Sequence, residues 1–113
     1  LWKDVIYKDA LAALQTRYPD RLAVVHTLTR EPDPSACGPG VRRGRVDRAL
    51  LREFLPDATS PLGYVCGPGV SKWENAAASA TGTAVAPRFL ETTLSELDAL
   101  GVPKAHIKRE FYG

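Results

Sequence analysis

Two short apolar runs set between helical stretches constrain this chain more than any other feature. Leu22-Ala-Val-Val-His-Thr-Leu28 and Leu62-Gly-Tyr-Val-Cys66 are compact, rich in branched residues and bounded by turn formers. Apolarity that runs on without alternating suits strands buried on both faces, as in parallel sheets. Before the first run, Asp4 is placed to cap a helix. Leu11, Leu14 and Tyr18 recur there at helical spacing until Pro19 and Asp20 break it.

After the first run, residues 30–45 read as a long loop with three prolines, three glycines and several charges, a length expected of functional or mobile loops. Asp47 then caps a short helix carrying Leu50, Leu51, Phe54 and Leu55, which stops at Pro56. Beyond the second run, Ser71-Lys-Trp-Glu74 has the capping-box pattern and opens a helix to about Gly82. A further helix starts near Pro87 with Leu90, Leu94 and Leu97 on one face, and it ends at Gly101. Ile107–Tyr112 is the last candidate strand. The order α-β-α-β-α-α-β implies an α/β sheet of parallel strands with helices on both faces. Three strands make a thin sheet, and the absence of methionine means Leu1 is not expected to be a translation start. Both features suggest part of a larger domain.

Composition narrows the function classes. A net charge of +2 gives no argument for nucleic acid or an anionic membrane as partner. No apolar run has membrane-span length. Cys37 and Cys66 form no disulfide framework and no metal-ligand spacing, so a reducing, cytoplasmic setting without a metal is the expectation.

Ligands of open α/β sheets sit at the carboxyl ends of strands. Three such ends are legible here: Thr29-Arg30, Cys66-Gly67-Pro68-Gly69 and Glu110-Phe111-Tyr112. In the second, glycines permit close backbone approach, and the helix opening near Ser71 is expected to present unpaired N–H groups. The same tetrapeptide, Cys37-Gly38-Pro39-Gly40, occurs in the long loop without a preceding strand, so only the later copy has the context of a site.

Five motifs in order resemble the ferredoxin–NADP reductase-like flavin oxidoreductases. Asp4-Val-Ile-Tyr7 with Ala10-Leu11 is similar to the stretch leading into that family's second helix. Thr29-Arg30-Glu31 resembles its Ser-Arg pair, Gly44-Arg45-Val46 its Gly-Arg segment, and Tyr64-Val-Cys-Gly-Pro68 its Cys-Gly-Pro strand end. Glu110-Phe111-Tyr112-Gly113 resembles its terminal strand. The resemblance implies a partial Rossmann-like, doubly wound parallel sheet over residues 1–113. This would be the C-terminal part of an NAD(P)-binding domain, with its first strand, Gly-rich turn and flavin-binding barrel outside the chain.

It further implies that the parent enzyme takes hydride from NAD(P)H, passes it to FAD and sends electrons to an acceptor that the residues do not identify. Thr29 and Arg30 would face the adenosine end of the dinucleotide. Cys66, Gly67 and Pro68 would lie beside the nicotinamide, with Glu110 as a second catalytic residue and Tyr112 near the flavin. Plainer readings stand beside these. Cys66 also reads as a small buried thiol, Arg30 as a solvated arginine, Glu110 as an exposed strand-end carboxylate and Tyr112 as a core-closing ring. The choice of NAD or NADP stays open, as does a non-catalytic α/β interaction module. His26 reads as structural, and Arg42, Arg43 and Arg45 as a solvated cluster or a phosphate contact. In the family's sheet order the first strand here has no neighbour, so self-association or rearranged packing is expected.

Overall fold

The computed structural model describes residues 1–112, and Gly113 lies outside them. The chain divides into two compact units, residues 1–45 and 46–113. In the first, a 3₁₀ turn over Trp2–Asp4 leads to α1 (Lys8–Arg17), β1 (His26–Leu28), a second 3₁₀ turn (Pro34–Cys37) and β2 (Val41–Arg43). The second contains α2 (Arg48–Phe54), β3 (Gly63–Pro68), α3 (Lys72–Ala80), α4 (Phe89–Ala99) and β4 (Ile107–Tyr112). Both strand pairs, β1–β2 and β3–β4, are parallel. The α/β class and the partial Rossmann-like character expected from the sequence are therefore present.

The first unit departs from expectation in three places. Asp4 does not cap α1, because it belongs to the 3₁₀ turn and the helix starts four residues later behind Tyr7. Tyr7 adopts the left-handed region at φ 59°, which few non-glycine residues enter. The first strand is shorter than its apolar run. The Val24 N–H goes to the Gln15 side chain at 2.8 Å instead of a strand neighbour, and pairing begins only where His26 N–H finds Gly40 O at 2.8 Å. That partner is the third departure: the stretch 30–45 holds β2, so β1 does have a neighbour. The register runs His26↔Val41 to Leu28↔Arg43. Residues 29–40 carry the chain back to a parallel start, close to the shortest connection such a pair allows.

The second unit follows the sequence closely. The Asp47 carboxylate accepts Leu50 N–H at 2.8 Å, capping α2. At α3 the Ser71 hydroxyl accepts Glu74 N–H while the Glu74 carboxylate accepts Ser71 N–H, a complete capping box. Helices α3 and α4 end alike. Gly82 N–H reaches Ser79 O and Thr83 N–H reaches Ala78 O, and Gly101 and Val102 repeat the pattern on Asp98 and Leu97. Both glycines have positive φ, 70° and 88°, as the left-handed residue of this terminus requires.

The core of this unit is Val65, Leu90, Leu97 and Val102, with Leu51, Leu55, Phe89, Leu94 and Ile107 packed around them. Strand alternation puts Gly63, Val65 and Gly67 toward α4 and Tyr64, Cys66 and Pro68 away from it. The strand extends through Gly67 and Pro68, further than the apolar run indicated. Gly67 is required, because a methyl group there would collide with the Phe89 ring. The opposite face is open: Tyr64 is 78% exposed and Tyr112 61%, where a parallel sheet is ordinarily covered. No described helix is long and apolar enough to cross a membrane.

Gly67→Ala should destabilise the protein by about 1–3 kcal/mol through forced movement of Phe89. A lowered midpoint with unchanged slope in urea unfolding is the expected result; an unchanged midpoint would mean that the ring moves aside freely.

Candidate functional site

The carboxyl end of the β3–β4 pair brings four of the proposed site residues onto one open face. The register pairs Tyr64 with Lys108, Cys66 with Glu110 and Pro68 with Tyr112. Paired residues of neighbouring strands project from the same side of a sheet, so Cys66, Pro68, Glu110 and Tyr112 share the face away from α4. Cys66 is exposed and therefore not a buried thiol. Tyr112 is exposed and closes no core here. A shallow depression of about 440 Å³ is lined by Tyr64, Val65, Cys66, Lys108, Arg109 and Glu110.

Behind this face the backbone is held from the other side. Gly69 is buried and leaves no room for a side chain: a Cβ would lie 3.0 Å from both Leu90 Cδ2 and Phe111 Cβ. Arg88, just ahead of α4, donates from Nη1 to Gly69 O at 2.9 Å and to Glu74 Oε2 at 3.2 Å. Its Nη2 donates to Glu74 Oε1 at 2.6 Å. Glu91 accepts Val70 N–H at 2.6 Å and Arg88 N–H at 2.9 Å. Arg88 hydrogen bonding, followed by the Ser71 backbone N–H and hydroxyl, holds the Glu74 carboxyl down at about 2. Glu91 is also lowered, chiefly by the Val70 N–H.

This network narrows one expectation. Three N–H groups at the start of α3, those of Val70, Ser71 and Glu74, already donate to Glu91, Glu74 and Ser71 and are not offered to a ligand. Two carboxylates at this helix start also disfavour phosphate by charge. A neutral group suits the strand end better than a pyrophosphate. The Arg88–Glu74–Glu91 network was not read from the sequence. The only signal for it was Glu91 three residues after Arg88, the spacing of a carboxylate that returns to a helix start.

In the first unit, Thr29 and Arg30 are exposed immediately after β1. Gly44 N–H donates to Leu28 O at 3.1 Å, tying the exit of β2 to the exit of β1. Thr29-Arg30 and Gly44-Arg45 therefore leave adjacent parallel strands at the same end. The Thr29–Glu31 turn is fixed in part by Glu31, whose carboxylate accepts Trp2 N–H at 2.7 Å. The Trp2 ring meets His26 edge-on, with centroids 5.3 Å apart. Cys37 of the other Cys-Gly-Pro-Gly copy ends a 3₁₀ turn, and burial raises its thiol pKa.

The sequence profile of the oxidoreductase NAD-binding domain matches residues 2–72. The chain belongs to this family. Among curated proteins it is similar to a nitrate reductase [NADPH] of Beauveria bassiana, with 37% identity over 70 residues. A nitrate reductase [NADPH] of Aspergillus niger shares 39% identity over 67 residues. Each alignment covers 58% of this chain and 7% of the relative. The matched region of the family runs from the first 3₁₀ turn through β1, β2 and β3 into the start of α3. No solved structure matches the chain significantly.

The Glu74 carboxylate gives this region a defined acid response. Its folded pKa lies below its ordinary value of 4.5. The stability it contributes is therefore fully present above that value and is lost as pH falls toward 2. The melting-temperature gap between the intact wild-type protein and Glu74→Gln should be widest above about pH 5 and close on acidification. A gap independent of pH would contradict the ion pair.

Proposed function

We propose that this chain is the dinucleotide-holding part of an NAD(P)H-dependent flavin oxidoreductase. It would correspond to the C-terminal portion of the NAD(P)-binding domain, with the first strand and the flavin-binding barrel supplied by the rest of a longer protein. The family membership of residues 2–72 carries the reading. The open strand ends are consistent with it: glycine backbone, an exposed thiol and a shallow depression on a face that nothing in the described chain covers.

In the first unit, the Thr29 hydroxyl and the Arg30 guanidinium would hold the adenosine end of the dinucleotide. The tie from Gly44 to Leu28 sets Arg45 beside the same strand exit. Two exposed guanidinium groups there suit the dianionic 2′-phosphate of NADPH better than a ribose hydroxyl. The cofactor printed in the names of both fungal relatives favours the same choice. In the second unit, Cys66, Gly67 and Pro68 would line the nicotinamide, and Glu110 and Tyr112 would stand at the neighbouring strand end toward the flavin. The bound nicotinamide and flavin supply the hydride chemistry itself. This chain's part is to orient the ring and to keep phosphate away from it. The terminal electron acceptor lies beyond these residues.

The test uses the intact protein. Flavin absorbance and steady oxidation of NADPH are expected, and Arg30→Ala should raise KM for NADPH about tenfold to a hundredfold, as loss of a charge-assisted bond does. KM for NADH should change little. A colourless protein that oxidises neither dinucleotide would overturn the assignment.

A further inference from the structure

We propose that Arg88 is a positioning residue for the nicotinamide-bearing strand end, acting through a clamp it forms with Glu74 and Glu91. The inference rests on the dinucleotide-binding function proposed above and adds a role to a residue 16 positions beyond the end of the family match, which stops at residue 72.

The argument begins with what the strand end lacks. Gly67 and Gly69 carry no side chain that could lock their own backbone, and glycine is the most conformationally free residue. A ligand-bearing surface built on them must be fixed from outside. Four contacts do this. The Phe89 ring lies against Gly67, and Leu90 lies against Gly69. The Arg88 guanidinium holds the Gly69 carbonyl, while Glu91 holds the next N–H, that of Val70. All of these come from four consecutive residues at the start of α4, so a single rigid helix turn grips the strand end.

The grip is set by Arg88 in particular. Its planar fork meets both oxygens of Glu74 and still reaches the carbonyl, a geometry that a lysine cannot reproduce. Glu74 in turn caps Ser71 N–H, so the fork joins the start of α3 to the start of α4 across the turn at 69–71. The clamp lies on the α4 side, whereas Cys66 and Pro68 point the opposite way. It therefore fixes the site without occupying it. Both carboxylates are charged at neutral pH, and the hydrogen bonds of the clamp hold their pKa values below the ordinary one. Small losses of alignment between reacting groups reduce rate far more than they reduce binding, so the clamp should act on kcat.

The experiment compares the intact wild-type protein with Arg88→Gln, Arg88→Lys and Glu74→Gln. Amide hydrogen exchange at residues 66–71 is read without dinucleotide, and kcat, KM and melting temperature are read with NADPH. Arg88→Gln should accelerate exchange of Val70 and Ser71 and lower kcat about tenfold, with KM changed less than about twofold. Arg88→Lys should recover part of kcat, and Glu74→Gln should resemble Arg88→Gln. Unchanged kcat and exchange in both Arg88→Gln and Glu74→Gln would overturn the positioning role while leaving the proposed function intact. So would a kcat loss that disappears when each variant is assayed equally far below its own melting temperature. A wild-type protein inert toward both dinucleotides would overturn the functional reading instead, and faster exchange in Arg88→Gln would then mark the clamp as a brace of the turn alone. If Arg88→Gln fails to fold, Glu74→Gln decides by the same readings, since it preserves shape while removing the charge and one acceptor oxygen of the clamp.

Discussion

The packing of the first turn of α4 against the glycine face of β3 is the contact on which the rest of the second unit depends. Val65, Leu90, Leu97 and Val102 form its buried centre, and Phe89 occupies the space where Gly67 has no side chain. Burial of this kind is the main favourable contribution to folding. Here it is confined to one side of a two-stranded parallel sheet. The direction in which Cys66 points follows from that one-sided attachment. A ligand site built on an exposed face benefits from this arrangement, since one side is anchored and the other is free.

Charge is distributed in keeping with the same division. Near the strand end of the second unit, Glu74 and Glu91 are turned inward onto backbone N–H groups and Arg88. Together they neutralise a helix start that would otherwise attract anions. In the first unit, the exits of β1 and β2 carry the exposed Arg30 and Arg45. An isolated, partly exposed ion pair contributes little to stability. The Arg88 fork differs because it also satisfies a carbonyl and joins two helix starts.

The two Cys-Gly-Pro-Gly segments show how far local sequence reaches. Gly38 and Gly40 have φ of 120° and 78° and lead from a 3₁₀ turn into β2. Gly67 and Gly69 avoid the positive-φ region, and Gly67 lies inside a strand. Identical residues adopt opposite backbone hands because the later copy has a parallel partner and a helix to pack on. The earlier copy must turn the chain back toward β1.

What the sequence by itself determined was a set of features that each lie within a few residues. These include the Asp47 and Ser71–Glu74 caps, the glycine termini at Gly82 and Gly101, the α4 face of Leu90 and Leu97, and the order of motifs that identifies the family. Caps and periodicity are local, so their physics is complete within one turn. What only the tertiary structure decided was pairing across distance. β2 has two exposed arginines among its three residues and no apolar signature, so its partner defines it as a strand. Residues 22–25 stay outside β1, where the Leu22 and Val24 N–H groups bond to Tyr18 O and the Gln15 side chain and not to a strand. The Arg88 clamp joins residues 14 to 19 positions apart. A guanidinium finds such partners only once helix packing has brought them together, and no local pattern of residues encodes that distance.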